Sequence, residues 1–402
     1  MKVLVLAGGF DQIALIQELK KRGHSVVLVD YFENPPAKCY ADKHIIASTL
    51  DIENVELIAR VEHVDLVCTA CTDQALLTVA CVSERLGLPC YISYQTGLNV
   101  TNKSYMKDVL VKNNIPTSRY SIVSEPDLEY VKDFSYPLVV KPVDCNSSKG
   151  VKRVDNDDDF VSCVKDALNY SRTRTAIVEE FKEGTEISAD FYIDHGKAKF
   201  LSATTSLKIK NRKSFTIIGS DYPAVDYIQQ ERLVSIASSI SRAFLLDNTP
   251  LLIQLIINKD EISVLEFSAR MGGGSKYRLI QVLSGVNIMS TYVDRILGGI
   301  PTVNPVKQVD FCKLIYLYCN PGVFDHIEGY NELVSSGYID DFFVYKTKGM
   351  AIHGAETSGD RPAGYLCTSF DKELLNQKIK YIDAHLKVIS KDGDDIMMHG
   401  LL

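Results

Sequence analysis

Over its first 95 residues the chain alternates apolar strand-like runs with amphipathic helical ones: KVLVLA, QIALIQELKKRG, HSVVLVD, ENVELIARVEHV, DLVCTA, QALLTVACVSERLG and LPCYIS. Strand, helix and strand at this pace constrain the fold strongly, because parallel strands need crossovers and helical crossovers pack back on the sheet in one hand. A Rossmann-like α/β domain is expected over residues 1–95. With 402 residues the chain exceeds one core, since domains run to roughly 100–200 residues. Two further units are expected, over 96–300 and 301–402, so the fold class is α/β joined to α+β.

The second unit opens with a helix, TNKSYMKDVLVKNN, capped by Thr101 or Asn102 and closed before Ile115-Pro116. A strand PLVVKPVD, a polar loop CNSSKG, a strand VKRV and a helix follow. The acids Asp155, Asp157, Asp158 and Asp159 read as that helix's start, where they complement its dipole. TAIVEEFKEGTEISADFYID reads as two strands around a turn at Glu183-Gly184, QERLVSIASSISRAF as a helix, and LLIQLIINKDEISVLEFSAR as a hairpin turning at Asn258-Lys259-Asp260. The basic run Lys208, Lys210, Arg212 and Lys213 reads as a solvated face. The third unit ends in the helix DKELLNQKIKYIDAHLKVI.

A formal net charge of -7 argues against a nucleic-acid partner held by bulk charge. No apolar run approaches the roughly 18 residues of a membrane span, and MKVLVLAGGF breaks at Gly8-Gly9 instead of leading to a cleavage site. The ten cysteines lack framework spacing and sit in apolar contexts, so they are expected as reduced, buried thiols of a cytoplasmic protein. Cys68-x-x-Cys71 has no second pair to complete a zinc site and reads as structural. Gly8-Gly9 with Asp30 suggests a dinucleotide fold, yet Ala7-Gly8-Gly9-Phe10-Asp11 is not G-x-G-x-x-G, which counts against NAD.

The chemistry concentrates in SVLEFSARMGGGSKYR, Ser263 to Arg278, where an apolar strand ends in a carboxylate, a guanidinium and bare backbone. Gln254 and Glu266 lie on the paired strands of the hairpin, close enough in register to share one place, and such oxygen ligands suit Mg²⁺ beside phosphates. Arg270 can neutralise a transferred phosphoryl group, and backbone N–H groups of Gly272 to Gly274 can stabilise an oxyanion. Lys141 ends a strand and precedes CNSSKG, where Ser147, Ser148 and Gly150 could bend over an anion. Glu179, Glu180 and Glu186 flank a turn that could meet a purine and a ribose.

Taken in order, these pieces resemble the ATP-grasp superfamily, in particular its carboxylate–amine ligases: the L-amino-acid ligases, the carbamoyl-phosphate synthase large subunit, biotin carboxylase and the formate-dependent purine enzymes. The resemblance covers nearly the whole chain. It implies a Rossmann-like pre-grasp domain, a two-part grasp with a flexible lid over about 120–182, and a C-terminal closing domain. Lys103 and Lys141 match two basic nucleotide contacts, and Ser147, Ser148 and Gly150 the flexible loop. Glu179 matches the acid beside the adenine amino group, Glu180 and Phe181 the hinge backbone, and Glu186 the ribose acid. Gln254, Glu266 and Ser268 match metal-ligand positions for one or two Mg²⁺ ions, Ser268 standing where the family usually has Asn. Arg270, Lys141, Gly273 and, near the C-terminus, Arg361 match the reactive end.

The activity implied is ADP-forming ligation of a small carboxylate, plausibly an amino acid, to an amine through an acyl phosphate, with ATP and Mg²⁺. Bicarbonate phosphorylation to carbamoyl phosphate, or nucleotide binding without turnover, are the alternatives. The partners implied are small-molecule carboxylate and amine substrates, with no nucleic acid and no membrane; a homodimer is the commonest default.

Overall fold

The computed structural model describes residues 1–145, 149–209 and 215–402. Its mixed α/β and α+β architecture is the expected one. Lys2–Leu6, Ser25–Asp30, Lys43–Ile46 and Leu66–Cys68 form a parallel sheet. In this sheet the first strand lies between Ser25–Asp30 and Leu66–Cys68, with Lys43–Ile46 at the far edge. The strands read as continuous Val/Leu runs because both faces are covered: Val3 and Val5 face one cluster, Leu4 and Leu6 the other. LPCYIS, expected as a further strand, forms none; the chain there leads into the helix Tyr94–Thr101. The sheet's fourth strand is the short, exposed KHII, whose polar composition hid it.

A second sheet, built from Tyr120–Val123, Leu138–Pro142, Lys152–Val154 and Ala176–Glu180, is covered by the helix Asp157–Tyr170 and has its own core around Phe160 and Val178. Asn156, not an aspartate, caps that helix, accepting from Asp158 and Asp159 N–H groups. Ala176–Glu180 and Thr185–Asp194 do not form a hairpin: the first belongs to this small sheet and the second to the main one. Gly184 makes the crossing, at φ +136, and a Cβ there would meet the Ile257 carbonyl oxygen at 2.5 Å.

The main sheet has eight strands, running from Glu261–Ser268 through Thr249–Asn258, Thr185–Asp194, Lys197–Lys208 and Ile217–Tyr222 to Phe311–Tyr316, Ala363–Ser369 and Asp341–Val344. It passes without a break across residue 301, where a third unit was expected to begin. Ile187, Ala189, Ile253 and Leu255 point into the largest core, against Leu233 and Ile240 of the helix Tyr227–Ala243. On the opposite face of these strands Glu266, Gln254, Ser188 and Thr204 stand side by side, with Lys141 of the small sheet near Glu266.

Candidate functional site

One irregularity sets the polar face. In the hairpin Val264 pairs with Leu255 but Glu266 pairs with Gln254, so Leu265 is an extra residue. Strict alternation from Ile262 and Val264 would turn Glu266 into the core; the bulge reverses the phase and sends Phe267 inward instead. Glu266, Gln254, Ser188 and Thr204 then follow one another across four adjacent strands, with Ser268, Asp190 and Ser202 in the neighbouring rows.

Cations gather over this row. Lys103, at the start of the helix Lys103–Lys112, places its Nζ 3.1 Å from Glu266 Oε2 and donates to the Cys145 carbonyl at 2.9 Å. Burial works to raise the Glu266 pKa, but the charges of Lys103 and Lys141 outweigh it and hold the carboxylate down at about 2. Lys141, at the end of Leu138–Pro142, lies 2.7 Å from Glu179 Oε1. The carboxylate of Glu179, 2% exposed, is shared with Lys107 at 3.2 Å. Lys107 was not singled out in the sequence, although it stands four residues beyond Lys103 on one helix and so on a neighbouring face.

Around these, Glu180 and Phe181 give their N–H groups to the Arg119 and Pro137 carbonyls at 3.0 Å each, and the Phe181 ring lies under the Arg153 guanidinium. Glu186 Oε2 is 2.6 Å from Lys208 Nζ, which gives one lysine of the basic run a partner. Gly150 has φ +70 and a Cβ there would strike Tyr170 and Pro142 within 3 Å. Ser147 and Ser148, with Lys210, Arg212 and Lys213, lie outside the described residues.

The residues expected at the reactive end, Arg270, Gly273 and Arg361, lie where the parallel sheet meets the main one. Between the first and last strands of the parallel sheet the chain order reverses, and loops there commonly carry ligand sites. From the start of the helix Asp73–Leu86, Asp73 meets Arg270 in a two-pronged pair, Nε to Oδ1 at 2.8 Å and Nη2 to Oδ2. Arg270 Nη1 donates to the Met271 carbonyl at 2.8 Å. From the helix Phe10–Lys21, Asp11 accepts the N–H groups of Gly274 at 2.9 Å and Ser275 at 2.8 Å. The backbone expected to be free for an oxyanion is thus partly taken by a carboxylate of the chain itself. Gly273 borders this contact: a Cβ would lie 3.4 Å from Asp11 Oδ2 and 3.6 Å from the Cys71 carbonyl. Arg361 stacks 3.7 Å over the Tyr316 ring, donates to Tyr318 Oη at 2.9 Å and to the Ile217 carbonyl at 2.8 Å, and reaches Gly274.

Beneath the glycines, buried Lys276 donates to Thr204 Oγ1 at 2.9 Å and Ser188 Oγ at 3.2 Å, 3.8 Å from Asp190. Burial lowers the Lys276 pKa and raises that of Asp190. Asp11, Asp73, Lys107, Asp190 and Lys276 were all missed because single charged residues outside a recognised motif carry no local signal. Asp73 was the most findable, standing just after a strand at the point where the order reverses.

The donor set fits a metal–nucleotide. Mg²⁺ takes few protein carboxylates beside phosphates and water, and Glu266 with the amide of Gln254 opposite it offers oxygen donors of that kind. Gln254, the ionised Glu266 and Ser268 would hold it, and Lys103, Lys141 and Arg270, each paired with a carboxylate of the chain here, would turn to phosphate oxygens. The Rossmann-like loop is filled otherwise: Asp30 accepts the Gly8 and Phe32 N–H groups, and Pro35 occupies the space above Gly8.

Residues 101–211 match the family model described as phosphoribosylglycinamide synthetase, ATP-grasp (A) domain. Phosphoribosylamine–glycine ligase of Pyrococcus furiosus is 22% identical over 77% of this chain and 76% of its own length. The trifunctional purine biosynthetic protein adenosine-3 of Drosophila melanogaster is 24% identical over 67% of this chain, which spans only 22% of that protein. Among solved structures, L-amino acid ligase from Bacillus licheniformis superposes with a TM-score of 0.79 at 20% identity, covering 97% of this chain and 98% of the other. Phosphoribosylglycinamide synthetase from Anaerococcus prevotii gives 0.76 at 18% identity, with 97% and 99% covered. The match to the ATP-grasp domain model is thus confined to residues 101–211, while nearly the whole chain shares the fold of these two solved structures.

Proposed function

We propose that the protein is an ATP-dependent, ADP-forming carboxylate–amine ligase that activates a small carboxylate, that of an amino acid, as an acyl phosphate. The observation that carries this reading is the row of Glu266 and Gln254 between Lys103, Lys141 and Arg270, leading to the glycine loop and Arg361. One end of that row suits a metal–triphosphate, and the other suits a carboxylate. The names of the Pyrococcus and Bacillus proteins, one a ligase of phosphoribosylamine with glycine and one an L-amino acid ligase, favour an amino acid among the carboxylates.

Mg²⁺ bound with the nucleotide would supply charge neutralisation across the phosphates. Lys141 and Arg270 balance the charge that develops on the transferred phosphoryl group, and Arg361 orients the attacking carboxylate. Transfer makes a bond from the carboxylate oxygen to phosphorus and releases ADP. Attack by an amine then makes the C–N bond and expels phosphate, the amine's proton leaving to solvent or a nearby carboxylate. No side-chain nucleophile is needed, so positioning and electrostatics provide most of the rate.

The test is incubation with Mg·ATP and pools of amino acids, small carboxylates and amines, resolving ADP, AMP and phosphate. ADP and phosphate that appear only with a particular carboxylate and amine support the ligase. AMP with pyrophosphate would sink the acyl-phosphate route, and nucleotide binding without turnover from any pool would count against catalysis.

A further inference from the structure

Lys107 is 1% exposed, and its ammonium has three acceptors from three separate parts of the chain. They are Thr117 Oγ1 at 2.5 Å, Glu179 Oε2 at 3.2 Å on the small sheet, and the Val264 carbonyl at 3.4 Å on the hairpin. On the far side of Glu179 stands Lys141, 2.7 Å from the other carboxylate oxygen. Two ammonium groups thus share one buried carboxylate. If Lys107 were neutral, Lys141 would be the only close counter-ion of Glu179, and an unpaired buried carboxylate is strongly unfavourable. Lys141 would then be held where it is.

We infer that Lys107 is a positioning residue for the nucleotide site: by neutralising Glu179 from behind, it leaves Lys141 free to turn from that carboxylate to a phosphate. The inference rests on the ATP site proposed above, and it gives Glu179 a second duty, as the switchable resting partner of Lys141. It also explains why so buried a lysine is tolerated. Lys107 links the small sheet to the hairpin and supplies the positive charge that keeps Glu179 satisfied when Lys141 leaves.

The test measures Mg·ATP affinity by calorimetry. Lys107→Met, close to isosteric, is expected to weaken binding about tenfold, because Glu179 then retains Lys141. Adding Glu179→Gln should restore affinity to within roughly threefold of the Glu179→Gln single variant, since no carboxylate remains to hold the lysine. In a Lys141→Ala background, Lys107→Met should have no further effect. Unchanged affinity in Lys107→Met, or losses that add in the double variant, overturns the inference. Wild-type protein that binds no Mg·ATP would sink the ligase reading and this one with it, which separates the two failures.

A second arm needs no unstable variant. Burial first, then the nearby Lys141, lowers the Lys107 pKa to about 8 against the pull of Glu179. Wild-type affinity should weaken as pH rises through that value, and the Glu179→Gln profile should be flat. The charged neighbours facing Lys107 are Glu179 and Lys141 of the small sheet and Glu266 of the hairpin. Glu266 stays ionised throughout this range, so it contributes no competing step. A flat wild-type profile overturns the inference.

Discussion

Arg270 and Asp73, 197 positions apart in the chain, meet in a two-pronged ion pair that joins the end of the hairpin to the start of the helix that follows the parallel sheet's last strand. Each side chain is mostly buried, so removing one partner strands the other charge. Asp73→Ala is expected to cost about 3 kcal/mol of stability, seen as a lower urea midpoint. It should also reduce turnover, because the guanidinium loses the carboxylate that aims it. Arg270→Lys should keep the charge but lose the fork, and recover little activity.

Glu266 is the carboxylate on which metal binding depends in the proposed reaction. Glu266→Ala should lower kcat by about 100-fold or more in an ADP-release assay while nucleotide affinity stays measurable. Equal loss of both would place Glu266 in nucleotide binding rather than in the chemical step.

Acid should uncover the same residue in stability. Its folded pKa of about 2 lies below the ordinary 4.5, so its contribution is complete above 4.5 and disappears as pH falls from there toward 2. Glu266→Gln should flatten that part of the acid-denaturation curve relative to wild type. Identical curves for the two proteins would mean that the lysine pairing contributes nothing.

The triple glycine offers a contrast between neighbours. A Cβ at Gly273 meets only ordinary contacts, whereas at Gly274, with φ +69, it would lie 2.8 Å from Tyr316 Oη. Gly274→Ala should therefore lower the melting temperature by roughly 1–2 °C, from backbone strain of about 1–2 kcal/mol. Gly273→Ala should leave stability nearly unchanged and act on turnover alone. The pair of measurements separates the fold's requirement from the reaction's.

Much of this was legible in the residues. Strands of Val and Leu at helix-length intervals marked the parallel sheet, and the hairpin that pairs Gln254 with Glu266 was readable from its two apolar runs and turn. What escaped depends on tertiary pairing. The bulge at Leu265 turns Glu266 outward, yet no local signal marks it. Ala176–Glu180 and Thr185–Asp194 look like a hairpin because only three-dimensional competition for partners sends them to different sheets. Asp11 and Lys107 resemble any charged residue on a helix until the elements they face are known. The Asp11 contact also altered the reading of the glycine loop, whose N–H groups were expected to stand open.

The main sheet's passage across residue 301 bears on how the molecule could be divided. Ile217–Tyr222 pairs with Phe311–Tyr316 through four registered residues, so cutting the chain there would leave two bare hydrogen-bonding edges. The plate carrying Glu266 near one end and the strands around Arg361 toward the other is continuous, which fixes the spacing of the nucleotide and carboxylate ends independently of whatever the small sheet does. In the proposed reaction a new carboxylate would call for changes in the strands around Arg361, while changes to the small sheet would act on the phosphate end through Lys141.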